Sequence, residues 1–268
     1  MGYGERPALD RQVSSQLAGN CAGAELFTRI ISSERFIASC EMANSVAVNR
    51  LGYNDHGYTH VRIVAANALR ILGILKAKRV APTFVSERHG CFNDAQAVVL
   101  LGALFHDIGN SIHREHHQEL GVHIAGWIME DVLPEFYSGA KLQKVKLAAL
   151  GCVFEHDESV QATSIEAGIV KVADGTDCEN GRARIPYRMF GKTDIHSVSA
   201  LSIKRVEILP GQKKPVRVVV DMTNPSGLFQ MEEVLGKKIK TSGRMQDMVE
   251  VIPLINGSHF RETDISRI

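Results

Sequence analysis

Imidazole and carboxylate side chains are concentrated in one part of this sequence. Residues 104–117 read LFHDIGNSIHREHH, where an apolar run, AVVLLGALF, ends at the adjacent His106 and Asp107. Nine of the eleven histidines lie between His56 and His156, and histidine is the commonest metal ligand in proteins. Burying such groups without partners costs a few kcal/mol each, and a bound metal ion would supply the partners at once. The pattern therefore predicts a metal site.

Six side chains are candidate metal ligands, because each stands near the end of a predicted helix or on an apolar helical face. They are His60, His106, Asp107, His117, His156 and Asp174. A mixed set of imidazoles and carboxylates suits Mn, Fe, Co or Ni, whereas zinc bound by thiolates is not indicated. The expected cofactor is therefore a divalent transition metal ion.

Helices must bring these ligands together, since they come from widely separated parts of the chain. Apolar residues recur at spacings of three and four between residues 58 and 75, as expected for one face of a helix. Further helices are predicted over 93–105, 113–133, 141–155 and 164–177, joined by loops short enough for a bundle. We therefore expect residues 1–192 to form a helical domain, with residues 1–20 as a loosely packed lead-in.

The pattern changes from helical to alternating in the last quarter of the chain. Residues 202–209 and 216–222 alternate apolar and polar side chains, and PGQKKP separates them, which favours a hairpin. A helix over 229–239 and a third strand over 248–255 follow. The fold class is therefore predicted as mainly α, with a small α+β module of order ββαβ over residues 193–268. An exposed strand edge of this module could form a homodimer.

The amino-acid composition and net charge limit the kinds of binding partner that we expect for this protein. The formal net charge of +1 gives no reason to expect nucleic acid or an acidic membrane as a partner. No apolar run approaches the ~18 residues of a transmembrane helix. Five cysteines without a CxxC spacing favour reduced thiols and a cytoplasmic location.

Four of the candidate ligands carry a resemblance to a known family. His60, the His106-Asp107 pair and Asp174 resemble the H…HD…D signature of HD-domain metal-dependent phosphohydrolases. The short motifs around these residues are also similar to those of the family: HxxxV at His60, HDIG at 106–109 and VAD at 172–174. The resemblance covers roughly residues 50–180 and implies a helical HD domain. The longer word HDIGNSIHRxxH, followed by GRxRxPY and HSVSALSI, resembles an uncharacterised bacterial and archaeal branch of this family.

The resemblance also implies a second metal ion. HQELGVHIA (117–125) is similar to a family segment that supplies one further histidine, and FEHDE (154–158) to the place of another. By resemblance, His60, His106, Asp107 and Asp174 hold one ion. Asp107 bridges to a second ion that is completed by His117 and His156. Two departures concern this second site: Gln118 replaces the usual Glu, and Asp157 stands where a second histidine is frequent.

A two-metal site implies a mechanism. Two ions about 3.5–4 Å apart lower the pKa of a shared water, and the resulting hydroxide attacks phosphorus. Cationic groups should face the negative charge that develops there. The catalytic candidates are Asp107, His113, which lies four residues before His117, and Lys171, one turn before Asp174. The substrate-binding candidates are Arg182, Arg184, His56 and Asn110.

The sequence thus predicts a metal-dependent phosphohydrolase, a phosphodiesterase or phosphomonoesterase that acts on small organophosphates or nucleotides. Two alternatives remain open at this point. A nucleotide-binding sensor would bind its ligand tightly without hydrolysis, and a diiron oxygenase would consume oxygen in the ferrous state.

Overall fold

The computed structural model describes residues 6–179 and 195–259. The first of these ranges consists of helices joined by loops. Its helices are α1 (Arg6–Gln16), α2 (Cys21–Ile31), α3 (Glu34–Asn44), α4 (Tyr58–Ala77), α5 (Thr83–Ser86), α6 (Phe92–Phe105), α7 (His117–Val132), α8 (Gly139–Glu155) and α9 (Ile165–Thr176). Short helical turns follow α3 (Ser45–Arg50), α6 (Ile108–Ser111) and α7 (Leu133–Glu135).

Helix α6 forms the centre of the bundle. From Ala97 to Phe105 every residue is buried, and the helix packs against α4, α8 and α9. A helix that is apolar on all sides has no solvent face and must be surrounded by other elements. The carboxyl end of α6 therefore lies in the interior, where His106 and Asp107 follow it.

The second described range holds a small sheet with helices. It consists of α10 (Ile195–Ser202), β1 (Ile203–Pro210), β2 (Val216–Met222), α11 (Gly227–Gln230), a π-helical turn (Met231–Gly236), α12 (Lys237–Lys240), a 3-10 turn (Gly243–Asp247), β3 (Val249–Ile255) and β4 (Ser258–His259). The strands follow the order β1-β2-β3-β4. Neighbours are antiparallel except for the parallel pair β2 and β3. The predicted mainly α fold with a small α+β module at the C-terminus is confirmed. In the described residues, α10 and β4 are additions to the predicted order ββαβ.

The helical segment between β2 and β3 packs against the bundle. Residues 231–247 contact α9, and β1 contacts α4. The backbones come close: Ala162 N–H donates to Thr241 O at 2.9 Å, and a Cβ on Gly168 would lie 2.4 Å from Ser242 O. Near the other end of α9, a Cβ on Gly175 would lie 3.2 Å from Leu235 Cδ1, so the C-terminal module packs along the length of this helix.

Two local predictions differ from the structure. The sequence predicts a loosely packed lead-in over residues 1–20, whereas α1 packs against α4 with Val13 and Leu17 buried. The sequence also predicts one helix over 113–133, whereas α7 begins at His117. His116 has φ 59°, a left-handed conformation that interrupts the helix at this point.

Other predictions for the whole chain stay predictions. The division near residues 192 and 193 falls outside the described residues, as do Arg182 and Arg184. Pairing through a strand edge to give a homodimer also stays a prediction. None of the helices in the described ranges combines the length and apolar composition needed to cross a bilayer.

Candidate metal centre

The six candidate ligands converge on one buried place, although they come from the ends of five different helices. His60 lies in the first turn of α4, and His117 is the first residue of α7. His106 and His156 directly follow α6 and α8, and Asp174 lies near the end of α9. All six side chains are buried. Among the described residues, two groups of potential ligands share Asp107: His60, His106 and Asp107 form the first cluster, and Asp107, His117 and His156 form the second.

The first cluster is compact. The Nε2 atoms of His60 and His106 are 3.0 Å apart. Asp107 Oδ2 lies 3.2 Å from His60 Nε2 and 3.3 Å from His106 Nε2. Asp174 Oδ1 joins them, at 3.3 Å from His60 Nε2 and 3.6 Å from His106 Nε2. Two imidazole nitrogens and two carboxylate oxygens thus face one point.

The second cluster uses the other oxygen of Asp107. The Nε2 atoms of His117 and His156 are 3.1 Å apart. Asp107 Oδ1 lies 3.6 Å from His117 Nε2 and 3.7 Å from His156 Nε2. One carboxylate therefore presents one oxygen to each cluster, as a bridging ligand does.

The remaining ring nitrogens fix the tautomer of these histidines. Three Nδ1 atoms donate to backbone carbonyls: His106 to Ala103, His117 to Arg114 and His156 to Val153. His60 Nδ1 donates to Asp177 Oδ2 at 2.6 Å. Because carbonyl and carboxylate oxygens accept hydrogen bonds, each Nδ1 carries the hydrogen, and Nε2 of a neutral ring is left as an acceptor.

This arrangement fits metal ions. Two acceptor nitrogens 3.0–3.1 Å apart repel each other unless a positive charge lies between them. Donation from Nδ1 to an oxygen acceptor is the usual outer support of a histidine that binds a metal through Nε2. The donor atoms therefore suit a cation in each cluster.

The turn after α6 holds Asp107 in place. A Cβ on Gly109 would lie 1.9 Å from His117 O, so only glycine allows this turn to approach the start of α7. Asn110 Nδ2 donates to Asp107 O at 2.9 Å and to Asp107 Oδ1 at 3.0 Å. Arg114 Nη1 donates to Asn110 Oδ1 at 3.2 Å and lies 3.8 Å from Asp107 Oδ1.

The electrostatics of the centre favour ionised carboxylates. Burial would raise the pKa of Asp107, but His106 and His56 outweigh it and hold the pKa well below its usual range. For Asp174, Lys238 and His106 have the same effect against burial, and this pKa is also well below its usual range. Both groups are thus available as anionic ligands at neutral pH.

The histidines of the two clusters titrate differently. Burial would lower the pKa of His106, but Asp107 and Asp174 outweigh it and raise the pKa. Burial and the neighbouring His156 lower the pKa of His117 to about 3, and burial also lowers the pKa of His156. The two histidines of the second cluster are therefore neutral at neutral pH, whereas His106 retains a proton to a higher pH.

The affinity of the first cluster for Mn²⁺ is expected to fall steeply as the pH falls. Below the raised pKa of His106 a metal ion must displace the proton, so the apparent Kd rises about tenfold per pH unit. Above that pKa no proton is displaced, and the dependence levels off. Calorimetric titrations of the metal-free protein between about pH 6 and about pH 8 test this. A pH-independent Kd would contradict it.

Three groups near the centre were not predicted from the sequence. Asp177 accepts from His60 Nδ1, Arg114 lies beside Asp107, and Lys238 Nζ lies 2.6 Å from Asp174 Oδ2. A carboxylate one turn after Asp174 is a usable signal for Asp177. Nothing in the sequence pattern points to Lys238, which reaches the centre from the C-terminal module.

The predicted catalytic residues other than Asp107 lie in unexpected places. His113 is exposed, outside α7, and its Nδ1 accepts from the backbone N–H of Glu115 at 3.0 Å. The prediction that it shares a helical face with His117 is therefore wrong. Lys171 is buried and donates to the carbonyl oxygens of Val160 and Thr241. Burial lowers the pKa of Lys171 to about 8. These contacts join α9 to neighbouring segments and do not fit a catalytic position.

Two of the four predicted substrate-binding residues, Asn110 and His56, lie in the described part of the chain. Asn110 is fully buried and its amide is used by Asp107 and Arg114, which does not fit direct contact with substrate. The ring of His56 lies 5.9 Å from the ring of His60, beside the first cluster. The role of His56 stays a prediction.

Comparisons with known proteins agree with this centre. The family model of the HD domain matches residues 57–178, a range that includes all six candidate ligands. The chain is also 44% identical over 220 residues to an uncharacterized protein of Methanocaldococcus jannaschii, MJ1020. That match covers 81% of this chain and 84% of the relative. No solved structure matches significantly. The chain belongs to the HD-domain family, whose members are mostly metal-dependent hydrolases.

Proposed function

We propose that this protein is a metal-dependent phosphohydrolase that cleaves small phosphomonoesters or phosphodiesters with two divalent metal ions. The observation that carries the proposal is the orientation of Asp107, whose two oxygens face the two histidine pairs. Paired sites that share a carboxylate suit the clamping of one phosphate group between two cations. A cytoplasmic location and a homodimer stay predictions.

The donor set supports particular metals. His60, His106, Asp107 and Asp174 would hold one ion, and Asp107, His117 and His156 the other. Nitrogen and oxygen donors without thiolate suit Mn, Fe, Co or Ni more than structural zinc. When bound, two such ions lower the pKa of a shared water and stabilise charge on phosphate oxygens.

The residues of the chain prepare the site for this chemistry. Carbonyl oxygens and Asp177 orient the four imidazoles, and Asn110 fixes the bridging carboxylate. Because these partners are part of packed helices, the ligands need little reorganisation when substrate arrives. A buried centre also strengthens each electrostatic contact with a phosphate group.

Arg114 is the proposed phosphate-binding cation. Its side chain is 34% exposed, and its guanidinium lies 3.8 Å from Asp107 Oδ1. Arg114 is therefore accessible from solvent and also lies beside the candidate metal centre. The guanidinium also lies 6.0 Å from the centre of the Tyr53 ring, which is partly exposed. An arginine in this place can donate to a phosphate oxygen beside the bridging carboxylate.

Replacing Arg114 by Met is expected to lower kcat/KM for p-nitrophenyl phosphate by about 10- to 100-fold, the effect of one charge-assisted hydrogen bond. The metal content should not change, because Arg114 is not a proposed ligand. Steady-state rates and elemental analysis of the same preparation measure both quantities. Arg11→Met, at an exposed position of α1, is the matched control. An Arg114→Met variant with unchanged kcat/KM would rule out this role.

The proposed function is tested by hydrolysis of p-nitrophenyl phosphate and bis(p-nitrophenyl) phosphate after addition of Mn, Co or Ni. We expect turnover of at least one ester with at least one metal, and none after treatment with a chelator. No turnover with any of the metals would reject the proposal. Oxygen uptake by the ferrous protein without ester hydrolysis would favour an oxygenase instead.

A further inference from the structure

Lys238 is a buried lysine on a helix whose other lysines face solvent. Lys237 and Lys240 of α12 are exposed, whereas Lys238 is buried against the bundle. Its Nζ lies 2.6 Å from Asp174 Oδ2 and 3.6 Å from Glu158 Oε2. It also donates to His156 O at 3.1 Å. One ammonium group of the C-terminal module therefore contacts a candidate ligand from each cluster.

The carboxylate of Asp174 lies between this ammonium and the first cluster. Its Oδ2 faces Lys238, while its Oδ1 faces His60 Nε2 and His106 Nε2. The ion pair leaves a single oxygen of Asp174 directed at the cluster. Lys238 thus sets the orientation in which Asp174 can bind a cation.

The same ammonium opposes a cation in the cluster. In the metal-free protein it compensates the buried charge of Asp174, which would otherwise be costly. With a dication bound, two positive charges share one carboxylate. Like charges about 5 Å apart in a site of effective dielectric constant about 20 repel enough to change an affinity by about tenfold or more.

We propose that Lys238 is a positioning residue of the metal centre that competes with the metal ion for the charge of Asp174. It keeps the metal-free centre folded and directs one oxygen of Asp174 inward, and it weakens the hold on the ion so that the ion can exchange. This inference rests on the proposed function, because it requires that the first cluster binds a metal ion.

The test is calorimetric titration of the full, chelator-treated chain with Mn²⁺ slightly above neutral pH. Lys238→Met removes the charge, and Lys238→Gln removes it while keeping a hydrogen-bond donor. We expect both variants to bind Mn²⁺ about tenfold or more tightly than the wild type. The Tm of each metal-free variant should be lower than that of the metal-free wild type by about 5–10 °C. Addition of Mn²⁺ should raise the Tm of the variants by more than it raises the Tm of the wild type.

Two control variants separate charge competition from a general loss of packing. Lys171→Met also removes a buried ammonium, but one bonded to Val160 and Thr241 rather than to a candidate ligand. It should lower Tm and leave the Kd for Mn²⁺ unchanged. Lys238→Arg retains the charge and should restore the wild-type Kd.

The outcomes distinguish this inference from the proposed function. Tight Mn²⁺ binding by the wild type, with equal or weaker binding by Lys238→Gln and Lys238→Met, overturns only the role of Lys238. No Mn²⁺ binding by the wild type overturns the metal centre and the inference together.

Discussion

Replacing Asp107 by Asn is expected to lower the turnover of each p-nitrophenyl ester that the wild type cleaves by about 10³-fold or more, because metal ions supply several kcal/mol of transition-state stabilisation. The two oxygens of Asp107 serve both histidine pairs. Asparagine lacks the negative charge, and its NH₂ group would donate to the Nε2 atoms of one pair. Both clusters would thus be damaged by one substitution of nearly the same size.

The measurement is elemental analysis of Asp107→Asn after loading with Mn²⁺, together with initial rates for both esters. We expect the metal content to fall far below that of the wild type. The matched control is Asp131→Asn, which removes an exposed carboxylate paired with Arg35 and should retain both metal and activity. An Asp107→Asn protein with full metal content and full turnover would contradict the bridging role.

The positions of the candidate ligands could be predicted because they depend on local features of the sequence. His106 and Asp107 follow an apolar run, which predicts the end of a buried helix. His60 and Asp174 lie within strongly periodic segments that form α4 and α9. The resemblance of the motif order to the HD-domain family then predicted that these helix ends lie close together in the folded protein. Periodicity alone does not predict such a tertiary contact.

The wrong predictions concern features that depend on packing. The HREHH segment contains neither glycine nor proline, so it reads as helical, yet His116 adopts φ 59° and α7 starts one residue later. At this point the backbone of Gly109 packs closely against His117, a tertiary contact that no local sequence pattern encodes. His113 is consequently exposed outside the helix.

The sequence also does not show which of two buried lysines, Lys171 or Lys238, contacts Asp174. Lys171 lies one turn before Asp174, which suggested a place in the centre, but its ammonium bonds to Val160 and Thr241. Lys238, distant in sequence, pairs with Asp174 instead. Which lysine reaches the carboxylate depends on how the C-terminal module packs on α9.

Replacing His156 by Ala is expected to remove one metal ion and leave the other. The second cluster would retain only Asp107 and His117, whereas the first would keep all of its donors. Because both ions act on the same phosphate in a two-metal mechanism, activity should fall by about 10²- to 10³-fold although one ion remains. Elemental analysis after Mn²⁺ loading should give about half of the wild-type content.

A substitution in the first cluster tests whether each cluster binds its own metal ion. His60→Ala removes a donor from the first cluster and should instead leave the ion of the second, since the clusters share Asp107 but not their histidines. His123→Ala, at an exposed position of α7, is the control and should bind the full complement. If His156→Ala retained the wild-type metal content, the centre would hold a single ion, and His117 and His156 would support it without binding metal themselves. The activity of His156→Ala would then report hydrogen bonding around Asp107 rather than the loss of a second cation.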